Sequence, residues 1–523
     1  MTGVAVAAPS QAAVDAALAV GDAGGNAVDA CIAALVVSTV TEFGIVGPMG
    51  GGFVNVWAPG REAVVIDGNV EMPGRERDPG RLGGGIERFV CDYFGPLVVY
   101  GGPGTVGTPG MFAALDRAHR RWGALPWREV VQPAAHVARE GYAMGPAAAF
   151  WLNRSGPHHF GWDPECVAFL RQGPGSRLPV AGQIMRSSPL AASLEAVAAD
   201  GVATLYTGEL AHAIAADMDE RGGLLGLADL AAYEVVERPA LRARVGRFDV
   251  ATNPAPSIGG PVLAALLRTA QASQNGGRVS PADIIEALRV VLGYRWAVID
   301  HADDLEAAGH ELMALLESDG PAGLGSLAGL SSSPDTIHVS AVDADGLAVS
   351  ITTSCGYCSG YMTPGTGLMF NNALGEPELN RRGFHVLPPG SRMPSNMAPT
   401  TARGDDGSVL SLGTPGADRI TTALFTVLTS LALNGDTLEQ AVLHPRIHLG
   451  ITDDGLRLDI EGDEAAEHAA ATAARRYGLA VSRHEGLTMY FGGVGAARVD
   501  ANGALDAVGD PRRAAVVGVT PAR

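Results

Sequence analysis

The stretch 318–333 is rich in Gly, Ser and Leu without a clear period, and it runs through Pro334-Asp335 into the alternating segment Thr336-Ile337-His338-Val339-Ser340-Ala341-Val342. This junction has a chemical reading. A threonine freed at the head of a strand by cleavage after Asp335 carries a nucleophilic hydroxyl and an α-amine on one residue. With a reference pKa of about 7.7–8, that amine is nearly matched to neutral pH and can take the hydroxyl proton as a general base. The chain has no lysine, all 37 of its basic residues being arginine. Schiff-base chemistry and the phosphate-loop lysine are therefore excluded, and an amine base has to come from a chain terminus.

Other groupings carry less. Cys355-Gly356-Tyr357-Cys358 has no second ligand pair for zinc, and Gly102-Pro103-Gly104-Thr105-Val106-Gly107 has the wrong spacing for a dinucleotide loop. His158-His159 has no partner at helical spacing and reads as surface. No metal and no cofactor is expected. The formal charge of −19 over 523 residues argues against a nucleic-acid or anionic-membrane surface, which needs clustered cations. The apolar run Ala30–Val40 is too short to span a bilayer, and the start lacks the basic and apolar regions of a signal peptide. Five thinly spread cysteines do not make a disulfide framework, so a soluble cytoplasmic protein acting on a small molecule is expected.

The elements that must position Thr336 are read from periodicity. Residues 10–40 predict two Ala-rich helices broken at Gly24-Gly25, with Asn26 capping the second. The glycine run Gly50-Gly51-Gly52 feeds the alternation Phe53–Trp57 and, after a turn at Pro59-Gly60, the run Ala63–Ile66, a hairpin. From about Ala113 to Thr269 the pattern is mostly helical, and Glu286–Ala307 continues it. After the linker, Asp343-Ala344-Asp345-Gly346 between alternating runs predicts a second hairpin. Helices follow over 420–433 and 464–477, and short strands close the chain.

Several words of the sequence recur in one known family. Asp335–Asp343, Pro364-Gly365-Thr366-Gly367, Asn371-Asn372, Gly413-Thr414-Pro415-Gly416 and Asp510-Pro511-Arg512, with Gly24–Ala30, Gly50–Gly52, Gly102–Thr105, Leu125-Pro126-Trp127 and His444-Pro445-Arg446 before or between them, resemble the γ-glutamyltransferase family of N-terminal-nucleophile (Ntn) hydrolases. About ten motifs fall in order over nearly the whole chain. The resemblance implies an α/β (α+β) fold, a four-layer αββα sandwich with a largely helical additional region. It implies self-cleavage between Asp335 and Thr336 into a large subunit 1–335 and a small subunit 336–523, a heterodimer interleaved in one core, with a dimer of such heterodimers left open. Thr336 then forms an acyl-enzyme. Ser354 matches the second hydroxyl that orients the nucleophile's amine, and Gly416 with Ala417 matches the backbone pair that holds the oxyanion.

The departures concern substrate recognition. The family arginine that grips an α-carboxylate falls in Ile66-Asp67-Gly68-Asn69-Val70-Glu71-Met72-Pro73, where Asn69 or Val70 replaces it. The acid for the α-amine maps near Glu376, with Ala373 where glutamine is common. A usual asparagine is Gly356, and a usual Ser-Ser pair is Ser395-Asn396. Arg392 and Arg419 lie in motif segments and are candidates for a relocated cation. The expected activity is hydrolysis or transfer of an acyl group from an amide-type substrate with altered carboxylate recognition. Two alternatives stay open, a biosynthetic relative that removes an acyl fragment from carbon and a non-catalytic ligand-binding paralogue.

Overall fold

The computed structural model describes residues 3–92, 96–172, 178–274, 277–324, 336–452 and 455–521. Asp335 and most of the expected linker lie outside them.

Two antiparallel sheets form the centre. The first runs, edge to edge, Val516–Val519, Val4–Ala8, Ile337–Asp343, Ala348–Ser354, Gly51–Trp57, Val64–Gly68, Val236–Pro239. The second runs Leu505–Gly509, Gly495–Val499, Val409–Gly413, Thr400–Gly404, Phe248–Thr252, Leu241–Val245. Small residues fill the space between them, Ala5, Ala251, Val342, Ala348 and Ala497 among them, with Trp57 as the bulky exception. Short side chains let the sheets pack closely, and each outer face is covered by helices, giving the expected αββα layering.

Helices Gln11–Asp22 and Ala27–Thr41 cover the first sheet, and Gly259–Ser273 with Arg419–Ala432 cover the second. Every residue of Ala27–Thr41 is buried, so that helix is apolar all round and held by packing on all sides. Asn26 caps it as expected: its side chain accepts from Val28 and Asp29 amides, and Asp29 returns a bond to the Asn26 amide. The fully buried Asp29 carboxylate also accepts from Ala124 at 2.8 Å and Leu125 at 3.3 Å, tying this helix to the following loop layer.

The second hairpin forms over Ile337–Asp343 and Ala348–Ser354, and the last predicted helix spans Glu464–Tyr477. One expectation is corrected. The stretch read as helical to Thr269 contains three strands, Val236–Pro239, Leu241–Val245 and Phe248–Thr252. Their arginines alternate outward on edge strands, with Arg242 and Arg244 bonded to Asp249 and Asp405, and that charged edge hid the period of two.

Replacing the buried Asp29 with Ala leaves three partly buried amides, of Asn26, Ala124 and Leu125, without their acceptor. Urea unfolding should show a loss of about 2–3 kcal/mol or more, with the m-value unchanged.

Candidate active site

Strand Ile337–Asp343 sits inside the first sheet, bonded by Val4–Ala8 on one edge and by Ala348–Ser354 on the other. Its register pairs Ile337 with Thr353. Continuing one step places Thr336 across from Ser354, so the hairpin alone brings the two expected hydroxyl residues together. Thr336 is 3% exposed. It lies where two cavities meet.

The first cavity is lined by Thr336, Ser354, Gly356, Asn69, Val70, Ala373, Glu376, Glu378, Leu379, Met393–Met397, Ala417 and Ile420. Most of the residues expected from sequence therefore converge. The Ser354 hydroxyl accepts from the Gly356 amide at 2.9 Å. Gly356 has φ 61, and a Cβ there would lie 2.1 Å from Asn372 Oδ1 and 2.7 Å from Glu376 Oε1. Those side chains occupy the space a larger residue at 356 would need.

Gly416 (φ 127) and Ala417 (φ 53) form the turn from strand Val409–Gly413 into helix Arg419–Ala432. Their carbonyls accept from Arg419 at 2.9 Å and Ile420 at 3.2 Å, while their amides donate to no other described residue. Ala417 is held in the left-handed region, which costs an alanine about 1–2 kcal/mol relative to glycine-like freedom. The cavity also faces the N-terminal end of a 14-residue helix.

The remaining wall is held from behind. Asn69 donates to the Met393 carbonyl at 2.8 Å, and its own carbonyl accepts from Tyr233 at 2.7 Å. Val70 packs with Met72, Leu224, Ala373, Leu374 and Met393. Ser395 accepts from the Met397 amide at 3.2 Å. Asn396 accepts from Arg295 at 2.8 Å, and the buried Arg295 meets Asp300 at 3.2 Å.

Neither candidate for a relocated cation lines this cavity. Arg392 binds Glu71 at 3.0 Å and the Asn69 carbonyl at 3.1 Å, lies 3.5 Å from Asp67 and stacks over Tyr233, so it buttresses the 67–71 loop from outside. Arg419 is paired with Asp418 at 2.9 Å and stacked over Tyr490, with His448 on the other Asp418 oxygen at 3.1 Å. The lining of the first cavity contains two carboxylates and no Arg, Lys or His. Glu378 was not singled out from sequence, although its place two residues after Glu376 is a signal that both could face one side of an extended segment.

The histidines beside the site are buried and neutral. His338 Nε2 is 2.6 Å from Ser340 Oγ, and Ser340 donates to the Gly495 carbonyl, so His338 donates through Nε2 and accepts at Nδ1 from Thr352 at 2.9 Å. Burial pushes its pKa down to about 3. His159, expected at the surface, is fully buried; its Nε2 donates to the carbonyls of Tyr357 and Cys358, and burial takes it to about 4. It braces the loop after Ser354. No group of His, Cys, Asp and Glu among the described residues could hold a metal.

The αββα layering, with Thr336 at the head of a central strand, is that of the Ntn hydrolases. Residues 13–520 match the family described as Gamma-glutamyltranspeptidase. The chain is 30% identical to an "Acylase ACY 1 proenzyme" of Pseudomonas sp. strain SE83 over 92% of its own length and 87% of the relative's. It is equally 30% identical to a "Glutathione hydrolase proenzyme" of Pseudomonas aeruginosa, over 98% and 94%. Its fold matches a cephalosporin acylase from Bacillus halodurans with a TM-score of 0.80 at 23% identity, covering 99% and 96% of the two chains. The chain belongs to the gamma-glutamyltranspeptidase family and is an enzyme of its hydrolase/acyltransferase type. No helix of the described residues is long and apolar enough to cross a membrane.

His338 and His159 have folded pKa values below the unfolded value of about 6.5, so their contribution to stability is complete above pH 6.5 and is lost as pH falls towards 4 and 3. Each should contribute a slope of about 1.4 kcal/mol per pH unit in that window, and His338→Gln should remove one of the two when unfolding is followed by urea between pH 6.5 and 4.5.

Proposed function

We propose that the chain cuts itself before Thr336 and that the freed threonine is the nucleophile of an acyl transfer from a small amide-type substrate. In the precursor the Thr336 hydroxyl adds to the Asp335 carbonyl, the peptide bond becomes an ester, and water releases residues 1–335 from 336–523. Thr336 Oγ then attacks the substrate carbonyl while its own α-amine takes the proton. The amides of Gly416 and Ala417 receive the negative oxygen, Ser354 orients the amine, and the leaving group departs with the transferred proton. Water or an amine releases the acyl group. The two fragments remain a heterodimer, acting on a small molecule in the cytoplasm.

The observation that carries this reading is the convergence of Thr336, Ser354 and Ala417 on one cavity. The same cavity supports the altered specificity. An α-carboxylate entering it meets Glu376 and Glu378 and no cation, and Val70 or Asn69 stands where the family arginine would reach. An acyl group without that carboxylate fits better, in keeping with a relative named as an acylase. Ser395 and Asn396 supply neutral polar contacts to it.

Intact mass of purified wild-type protein should give two fragments divided before Thr336, and Thr336→Ala should remain one chain. A wild-type chain still whole after prolonged incubation sinks the reading. An unpaired carboxylate costs about 1–3 kcal/mol or more, so glutathione and γ-glutamyl-p-nitroanilide should be turned over with a kcat/KM at least about a hundred-fold below that of an arginine-bearing relative. Val70→Arg should recover part of the difference; family-level turnover of glutathione by the wild type would show that the carboxylate has another partner.

A further inference from the structure

A second cavity shares Thr336 with the first but none of its other lining residues. Its walls are mostly aliphatic, including Ala8, Ile45 and Ala147, and one carboxylate, Glu42, reaches into it. Glu42 ends the apolar helix Ala27–Thr41 as its C-terminal cap and is 4% exposed. Its backbone bonds to Ser38, Ile45 and Val46, but its carboxylate has no hydrogen bond or ion pair with any described residue. A Cβ on Gly145 would lie 3.2 Å from Glu42 Oε1, so a bare glycine leaves the carboxylate its room.

A buried carboxylate without a partner is costly, and the cost is relieved by protonation or by a cation that enters from outside. Burial raises the Glu42 pKa to about 7, while Arg513 on the same wall draws it back down. The other titratable groups facing it are Tyr142, whose pKa rises further through Glu42, and His338, which stays neutral. Near neutral pH the Glu42 carboxylate is therefore about half ionised, with Arg513 as the cation on the same wall.

We infer that this cavity is a subsite for a small primary ammonium group, with Glu42 as its counter-ion. The inference rests on the reading of Thr336 as nucleophile, because the amine half of the amide must leave from Thr336 and this second cavity is lined by the same residue. When the tetrahedral intermediate collapses, the C–N bond breaks and its electron pair goes to nitrogen. That nitrogen takes the proton lost by Thr336 Oγ, and the amine so formed, with a conjugate-acid pKa of about 10, takes a second proton from solvent and pairs with Glu42. The aliphatic walls fit a short carbon chain. Sequence offered one signal, a carboxylate closing a long uncharged run.

The test is calorimetric titration of the processed protein with propylammonium chloride. At pH 8 binding should be saturable and roughly millimolar, and Glu42→Gln should weaken it at least about ten-fold. Lowering the pH to 5.5 leaves the amine charged but cuts the ionised fraction of a group with pKa near 7 about thirty-fold, so wild-type affinity should fall by that factor and that of Glu42→Gln should not. Gly145→Ala, which crowds the carboxylate without removing it, should also weaken binding. Propan-1-ol, neutral and of like size, should bind both proteins equally. Absence of ammonium binding to wild type, or equal binding to Glu42→Gln and Gly145→Ala, overturns the inference; the fragment masses report separately on Thr336.

Discussion

The site depends on strand Ile337–Asp343 being hydrogen-bonded on both edges. An interior strand cannot shift register without breaking two ladders, so the residue at its head is fixed in depth and direction. That fixes Thr336 opposite Ser354, beneath the turn at Gly416-Ala417 and between two cavities. His338, Ser340 and Thr352 form a neutral hydrogen-bonded network on this strand and its neighbour, ending on the Gly495 carbonyl.

The electrostatics sort the carboxylates by partner. Asp67, Glu71 and Asp418 are neutralised by Arg392 and Arg419, which is why those arginines stay out of the acyl pocket. Glu376 and Glu378 line the first cavity, whereas the second carries both Glu42 and Arg513. In a chain with no lysine, every cation is a guanidinium, and a guanidinium held between two carboxylates at fixed angles is poorly suited to swing towards a ligand. Both arginines proposed from sequence as a relocated cation are accordingly committed to carboxylates outside the first cavity.

Much of this was legible in the chain itself. The Asn26 cap, the hairpin about Asp343–Gly346 and the helix Glu464–Tyr477 each follow from local rules that tertiary contacts reinforce. The strands of 236–252 did not, because their alternation is carried by arginines that pair across the edge, and a pattern written in charge looks like a solvated helix face. His159 was hidden for a related reason: burial of a histidine is decided by two carbonyls some 200 residues away. The roles of Arg392 and Glu42 are set by distant neighbours in the same way, and no spacing in the sequence encodes them.

The two sheets draw strands from both sides of residue 336. Val4–Ala8 lies between Ile337–Asp343 and Val516–Val519, Gly51–Trp57 pairs with Ala348–Ser354, and Phe248–Thr252 pairs with Thr400–Gly404. Before the proposed cut, these pairings are loop closures within one molecule, whose entropic cost grows only slowly with length. After it, they are an association of two chains. The polypeptide would thus fold under first-order conditions and afterwards live under second-order ones, so that once melted apart at low concentration it has no direct way back. Its persistence would be governed by the height of the unfolding barrier, and the cut itself would act as a ratchet that makes assembly a single historical event.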